Sequence, residues 1–245
     1  MIHVNDHALR TRAELLDWLR DKIAATQGRR LAAPAGILPT GIAPLDAALP
    51  AGGLPAGSLT EWIGAVAGGG VQTAALAAAA GICRDGRRII VVDPAGTLYP
   101  PALAGIVPLD NVVLVRPGGA RGAAWALEQC LRCPAAPAVI ALVDRLDERT
   151  AQRLRRAVEI GGGSGFLIRA GDARPEIRAA AVRLRVEARP SAGGVRRLIV
   201  EIEKARGLRE PIAVGLEVDL ASGRVSASAE PSRPAAPVRT ARASG

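Results

Sequence analysis

The sequence predicts an α/β fold: a mainly parallel sheet flanked by helices, with antiparallel strands at one side and a separate helix at the N-terminus. Three observations carry this. Apolar runs without alternation recur as RRIIVVD (87–93), NVVLVR (111–116) and PAVIALVD (137–144), the pattern of strands buried on both faces. Helix-forming stretches at 71–83, 123–132 and 147–159 accompany them, the alternation a parallel sheet requires. Beyond residue 180 strict alternation takes over. Val182, Leu184 and Val186 stand opposite Arg183, Arg185 and Glu187; Leu198, Val200 and Ile202 stand opposite Ile199, Glu201 and Glu203. Such strands are antiparallel, with one solvated face.

Each element follows from local chemistry. Within residues 1–30, Asp6 can cap a helix whose apolar stripe is Leu9, Leu16, Leu19 and Ile23, widened by Leu15 and Trp18. Residues 31–57 hold prolines at 34, 39, 44, 50 and 55 and read as a linker or a wrapped loop with one helical turn around 44–49. The α/β domain is expected over 58–220. It opens with a strand at 58–64, continues through the helices and strands above to a short strand at 165–169, and closes with strands at 181–188, 197–204 and 212–220. Residues 221–245 are rich in Ser, Ala, Pro and Arg, too poor in apolar groups to bury a core, and are expected as a disordered basic tail.

The 245 residues suffice for one α/β domain with a full core. An apolar share of 49% excludes disorder throughout. Aromatics are 2% (Trp18, Trp62, Tyr99, Trp125 and Phe166), which excludes a platform stacking several bases. The net charge of +9 admits an acidic partner. Yet of the 32 basic residues all but Lys22 and Lys204 are arginine, in a chain also rich in Ala, Gly and Pro, so the codon usage of a GC-rich genome accounts for the charge equally well. Three cysteines, an odd number, without a signal peptide point to a reducing, cytoplasmic setting. Cys130 and Cys133 have CxxC spacing, but no second pair or His cluster completes a zinc site, and they are read as structural; no metal is expected. Residues 62–83 carry no charge over 22 positions, but they are Ala- and Gly-rich and include Gln72 and Thr73, so no membrane span is expected.

A strand at 58–64, a glycine turn and a helix from 71 stand in the order in which backbone N–H groups cradle phosphate. The turn reads Gly64-Ala-Val-Ala-Gly68-Gly69-Gly70-Val-Gln-Thr73. A phosphate-binding P-loop requires GxxxxGK[ST]. In one register its Lys and Thr positions hold Gly70 and Val71. With one extra residue they hold Val71 and Gln72, with Thr73 just beyond. Neither register has a Lys and the segment has no Arg, so phosphate charge is left largely uncompensated and transfer to water loses its main electrostatic support.

Leu38-Pro-Thr-Gly-Ile-Ala-Pro-Leu-Asp46, followed by Gly52-Gly-Leu-Pro-Ala-Gly-Ser-Leu-Thr-Glu-Trp-Ile-Gly64, resembles the opening of the RecA ATPase core. The similarity continues through VVDPAGTLYPPALA (91–104), NVVLVRP (111–117), WALEQCLR (125–132), VIALVD (139–144), AAVRLRVEARP (180–190) and EKARG (203–207), and so covers residues 36–220. By that resemblance Asp144 matches the Mg²⁺-organising Walker B aspartate. The catalytic glutamate's position, two residues after the Asp ending 87–93, is Ala95. The two loops that line the RecA DNA channel are short here, at 144–165 and 169–180. A RecA-like core with a degraded P-loop, an N-terminal helix, the LYPPALA segment and an Arg-rich tail is similar to the ImuA family, accessory proteins of bacterial SOS mutagenesis. The resemblance implies a scaffold for translesion DNA synthesis beside an ImuB-type Y-family-like polymerase homologue and an error-prone polymerase α subunit. RecA is a further candidate partner, and DNA contact is indirect.

The expectation is therefore a non-catalytic accessory protein with no cofactor. Its partner-binding candidates are Leu9, Leu16, Trp18, Leu19 and Ile23 on the N-terminal helix, and Arg233, Arg239 and Arg242 in the tail. The alternative is a nucleotide-binding RecA-superfamily ATPase of DNA repair. There Gly64, Gly68, Gly69, Gly70, Thr73 and Asp144 hold ATP and Mg²⁺, and Lys204 or Arg206 reaches a neighbour's phosphate. A third reading is a SulA-type SOS cell-division inhibitor, against which the long N-terminal extension argues. Sequence-independent DNA binding would show as affinity that falls steeply with salt.

Overall fold

A computed structural model of the chain describes residues 36–64, 68–84, 86–143, 146–171, 176–191 and 193–228. The expected N-terminal helix and residues 229–245 lie outside them.

The Pro/Gly-rich segment is a wrapped loop. β1 (Ile37–Leu38) and β2 (Leu54–Pro55) pair antiparallel and bracket α1 (Ala43–Ala48), the expected helical turn. Asp46 sets the shape: its carboxylate accepts the Thr40 N–H (2.9 Å), the Thr40 hydroxyl (2.7 Å) and the Gly41 N–H (2.9 Å). With the polar atoms closed on one another, Ile42, Leu45, Leu49 and Leu54 are buried in the domain core.

β3 (Ser58–Gly64) is buried along its whole length. Then follow α2 (Val71–Ile82), β4 (Ile89–Val92), β5 (Val112–Val115), α3 (Gly119–Arg132), β6 (Ala138–Leu142), α4 (Glu148–Gly161) and β7 (Ser164–Ala170). β8 (Val182–Arg189), β9 (Val195–Lys204), β10 (Ile212–Asp219) and β11 (Val225–Ala227) complete the chain. Among the described residues nine strands form one sheet in the order β11-β10-β9-β8-β3-β7-β6-β4-β5. β3 runs parallel to both its neighbours, β7 and β8; the pairs from β8 through β9 and β10 to β11 are antiparallel, as expected.

Alternation along β3 feeds two cores. Trp62 faces the α2 side, stacks on Phe166 with ring centroids 5.7 Å apart, and donates its Nε1–H to Thr60 at 2.9 Å. Such a stack adds about 0.5–1.5 kcal/mol beyond area burial. Leu59 faces the other side and packs with Leu127 and Leu131 of α3 and Leu154 and Val158 of α4. The Ala-rich sequence of α2 lets the helix lie close: Gly81 touches the Thr40 carbonyl, where a Cβ has no room. α4 starts at Asp147, whose carboxylate accepts the Thr150 N–H (2.8 Å), and stops at Gly162 in the left-handed conformation (φ 76°).

The tail expected to be disordered from residue 221 first makes a turn and a strand. The Asp219 carboxylate accepts the N–H groups of Ala221 (2.9 Å) and Ser222 (2.8 Å), Gly223 packs on the Gly105 carbonyl, and β11 pairs with β10. Composition misses this because a three-residue edge strand gains its hydrogen bonds from a partner rather than from its own pattern.

Candidate functional site: the glycine turn at the end of β3

β3 ends at Gly64, level with Ala170 of β7 and Val186 of β8, and α2 starts at Val71. Between them Gly68 (φ 75°) and Gly70 (φ 86°) take the left-handed backbone that glycine allows, and Gly70 caps α2 without a side-chain hydrogen bond. Gly69 and Gly70 are buried, and Thr73 is half-buried one turn into the helix.

Two residues of β9 reach this turn. Leu198 lies against Gly70, in the space a Cβ there would fill. Arg196 donates its Nη1–H to the Gly68 carbonyl at 3.3 Å. The segment itself offers no cation; the antiparallel return of β9 brings one from 128 positions away. That arginine is bonded to the protein's own carbonyl, and an apolar side chain flanks the turn.

The remaining candidates are dispersed. Lys204 does not approach the turn. β9 runs antiparallel to β8, so Lys204 stands opposite Arg183, three residues short of Val186, and its Nζ donates to Glu176 at 2.6 Å. The same ion pair holds the Glu176 carboxyl below the usual carboxylate range. Arg206 is exposed in the loop that follows. Asp144 lies outside the described residues, as do Leu9, Leu16, Trp18, Leu19, Ile23, Arg233, Arg239 and Arg242. Among the described residues no group of three His, Cys, Asp or Glu side chains could hold a metal ion, and no helix is long and apolar enough to cross a membrane.

At position 95 the structure has an exposed alanine, two residues past Asp93. Asp93 is fully buried and structural: it accepts the N–H groups of Thr97 (3.1 Å) and Leu98 (3.0 Å), with Arg116 3.7 Å away. Ala95 and Pro94 line a largely apolar cleft of about 800 Å³ between α3 and α4, at the C-terminal ends of β4 and β6. Trp125 borders the cleft and is 63% exposed. Sequence reasoning placed Trp125 on a helix without picking it out; its signal was a large aromatic on the outer face, in a chain with few aromatics.

Where the RecA resemblance expects a long loop after β7, a crossover of residues 171–181 leads to β8. Its Ile177 N–H reaches Glu61 of β3 at 3.3 Å. Glu61 is fully buried and also accepts Arg169 Nη1 (2.5 Å) and Arg183 Nη1 (3.3 Å). Arg183 (2.7 Å) and Arg185 (2.5 Å) then share the two oxygens of Glu203. This ladder joins β7, β3, β8 and β9 on the sheet face to which Leu59 points. On the same face burial and the Glu203 charge push the Glu201 carboxyl up.

The architecture has a counterpart among solved structures. The crystal structure of the RadB recombinase superposes with a TM-score of 0.62 at 18% identity, covering 78% of this chain and 100% of that one. The fold is RecA-like. No protein-family model matches the chain, and no curated protein does. The residues at the turn depart from the nucleotide-hydrolysing pattern that the RecA resemblance names. The turn has no lysine, Arg196 holds the Gly68 carbonyl, Leu198 flanks Gly70, and position 95 has no carboxylate.

Proposed function

We propose that this chain is a non-catalytic, RecA-like accessory protein of DNA repair, acting as a scaffold in induced, error-prone translesion synthesis. Its partners in this reading are a Y-family-like polymerase homologue of the ImuB type and an error-prone polymerase α subunit, with RecA a further candidate. The observation that carries the proposal is what surrounds the glycine turn and position 95. Leu198 and Arg196 hold the glycine turn, and Ala95 opens an apolar cleft where the RecA pattern places its water-activating acid. An exposed tryptophan beside an apolar cleft is the kind of feature interface hot spots use. The sequence pattern from residue 36 to 220 supports the ImuA-like assignment; the fold match supports a RecA-like protein of repair or recombination.

Two measurements on the full chain test the reading. Co-purification with the polymerase homologue should succeed, and Trp125→Ala should weaken it about tenfold or more. Equilibrium binding of labelled ATP with Mg²⁺ should be weak and unaffected by Asp144→Asn. Micromolar affinity lost in Asp144→Asn, with measurable turnover, would overturn the scaffold reading in favour of an ATPase.

A further inference from the structure

A second cavity, of about 460 Å³, lies away from the glycine turn, between the start of α1, the C-terminal end of α2, the 3₁₀ turn before β5 and the turn before β11. Its lining includes Arg84, Arg87 and Arg224 with Thr40 and Asn111, and no Asp or Glu. The arginines come from two distant parts of the chain and converge only in the folded state. Arg84 is fixed in place: its Nη2 donates to the Gly41 carbonyl at 2.9 Å, and the guanidinium occupies the space a Cβ on Gly41 would need. That single bond leaves most of its N–H donors for a ligand. Among the described residues no carboxylate pairs with Arg84 or Arg224.

Two acids of the flanking turns are engaged elsewhere. Asp46 holds the N–H groups of Thr40 and Gly41, and Asp219 those of Ala221 and Ser222. The walls are rigid, because Gly81 on the Thr40 carbonyl and Gly223 on the Gly105 carbonyl are backbone contacts no larger residue allows. The C-terminal end of α2 brings partial negative charge. The Cys83 N–H covers the carbonyls of Ala79 (3.1 Å) and Ala80 (3.2 Å), and Arg84 adds a full positive charge beside them.

We propose that this cavity is a phosphate-binding site, taking either a small phosphorylated ligand or the phosphodiester of a nucleic-acid strand. Guanidinium forks match phosphate oxygens in pairs. No aromatic residue lines the cavity, so it recognises the phosphate and stacks no base. It lies about 18 Å along α2 from the glycine turn and stands independently of the scaffold reading.

The experiment uses the full chain and two probes, inorganic pyrophosphate and a labelled oligothymidylate, titrated at about 50 and about 200 mM NaCl. The variants are Arg84→Ala/Arg224→Ala, Arg224→Glu, and a control of equal charge loss on the exposed face of α4, Arg149→Ala/Arg156→Ala. Saturable binding of at least one probe is expected, weakened about tenfold or more by each cavity variant and less than about twofold by the control. Pyrophosphate alone assigns the site to small phosphorylated ligands and the oligonucleotide alone to nucleic acid; if both bind they must compete. Absence of saturable binding, failure to compete, or equal weakening by the control overturns the proposal. Arg224 is exposed and its side chain bonds to nothing among the described residues, so Arg224→Glu remains informative even where Arg84→Ala loosens the Gly41 contact.

Discussion

Replacing Glu61 with Gln keeps the side-chain volume and removes the charge at the centre of the ladder. Glu61 is fully buried, and its partners Arg169 and Arg183 have side chains 5% and 12% exposed. Breaking a buried pair from one side costs about 3–5 kcal/mol, because the surviving charge is left in a poorly solvated place. Three facts set the expectation at the lower end, about 3 kcal/mol. Arg183 keeps Glu203 at 2.7 Å, Arg169 keeps a further contact, and Gln still offers one carbonyl oxygen. With a urea m-value of about 2–3 kcal/mol/M, the midpoint should fall by about 1–1.5 M. Tryptophan fluorescence reads the transition, since Trp62 is adjacent in sequence, buried, and stacked on Phe166. The control is Glu217→Gln, which opens a surface pair with Arg197 (3.0 Å, 45% exposed). It should shift the midpoint by less than about 0.3 M. Equal small shifts for both variants would refute the claim that the buried ladder holds β3 to β7 and β8.

Gly70→Ala must take a left-handed backbone, at about 1–2 kcal/mol, and meet Leu198 as well, so its loss of melting temperature should be partly relieved in Gly70→Ala/Leu198→Ala. Leu198→Ala alone empties a fully buried site and should cost about 2–5 kcal/mol in urea unfolding. Glu128 accepts Arg132 (2.8 Å) and Arg153, and those hydrogen bonds hold its carboxyl below the usual range. Its stabilising effect is therefore complete above the unfolded-state value of about 4.3 and lost as pH falls through the lower folded value. Wild type should out-melt Glu128→Gln at pH 7, and the gap should close in acid. Burial and the neighbouring Cys133 push the Cys130 thiol up, so iodoacetamide at pH 8 should label it more slowly than an unfolded-chain thiol, as followed by mass spectrometry.

Much of this was legible because it is written in periodicity. The runs IIVV and AVIAL gave buried parallel strands, and the alternation around Val182–Val186 and Leu198–Ile202 gave the antiparallel side, since those patterns reflect how many faces a strand buries. The glycine turn was placed correctly between β3 and α2. Its environment was not: Arg196 and Leu198 carry no local mark that they return to Gly68 and Gly70. Lys204, expected to reach a neighbour's phosphate, is carried away from this chain's own glycine turn, because the register of β9 on β8 decides which end of the sheet it reaches. Asp46, one acid in a proline-rich stretch, could not be singled out as the residue that closes the wrapped loop.

By itself the sequence determined the order and type of the elements and the absence of a lysine from the glycine turn and of an acid from position 95, because hydrophobic period and residue identity are local properties. Only the tertiary structure decided that β9 closes over the glycine turn, that Glu61 sits between two arginines, and that Arg84 and Arg224 face one cavity. Each of these depends on the register and twist of strands far apart in the chain, and a one-residue slip would send every side chain to the opposite face.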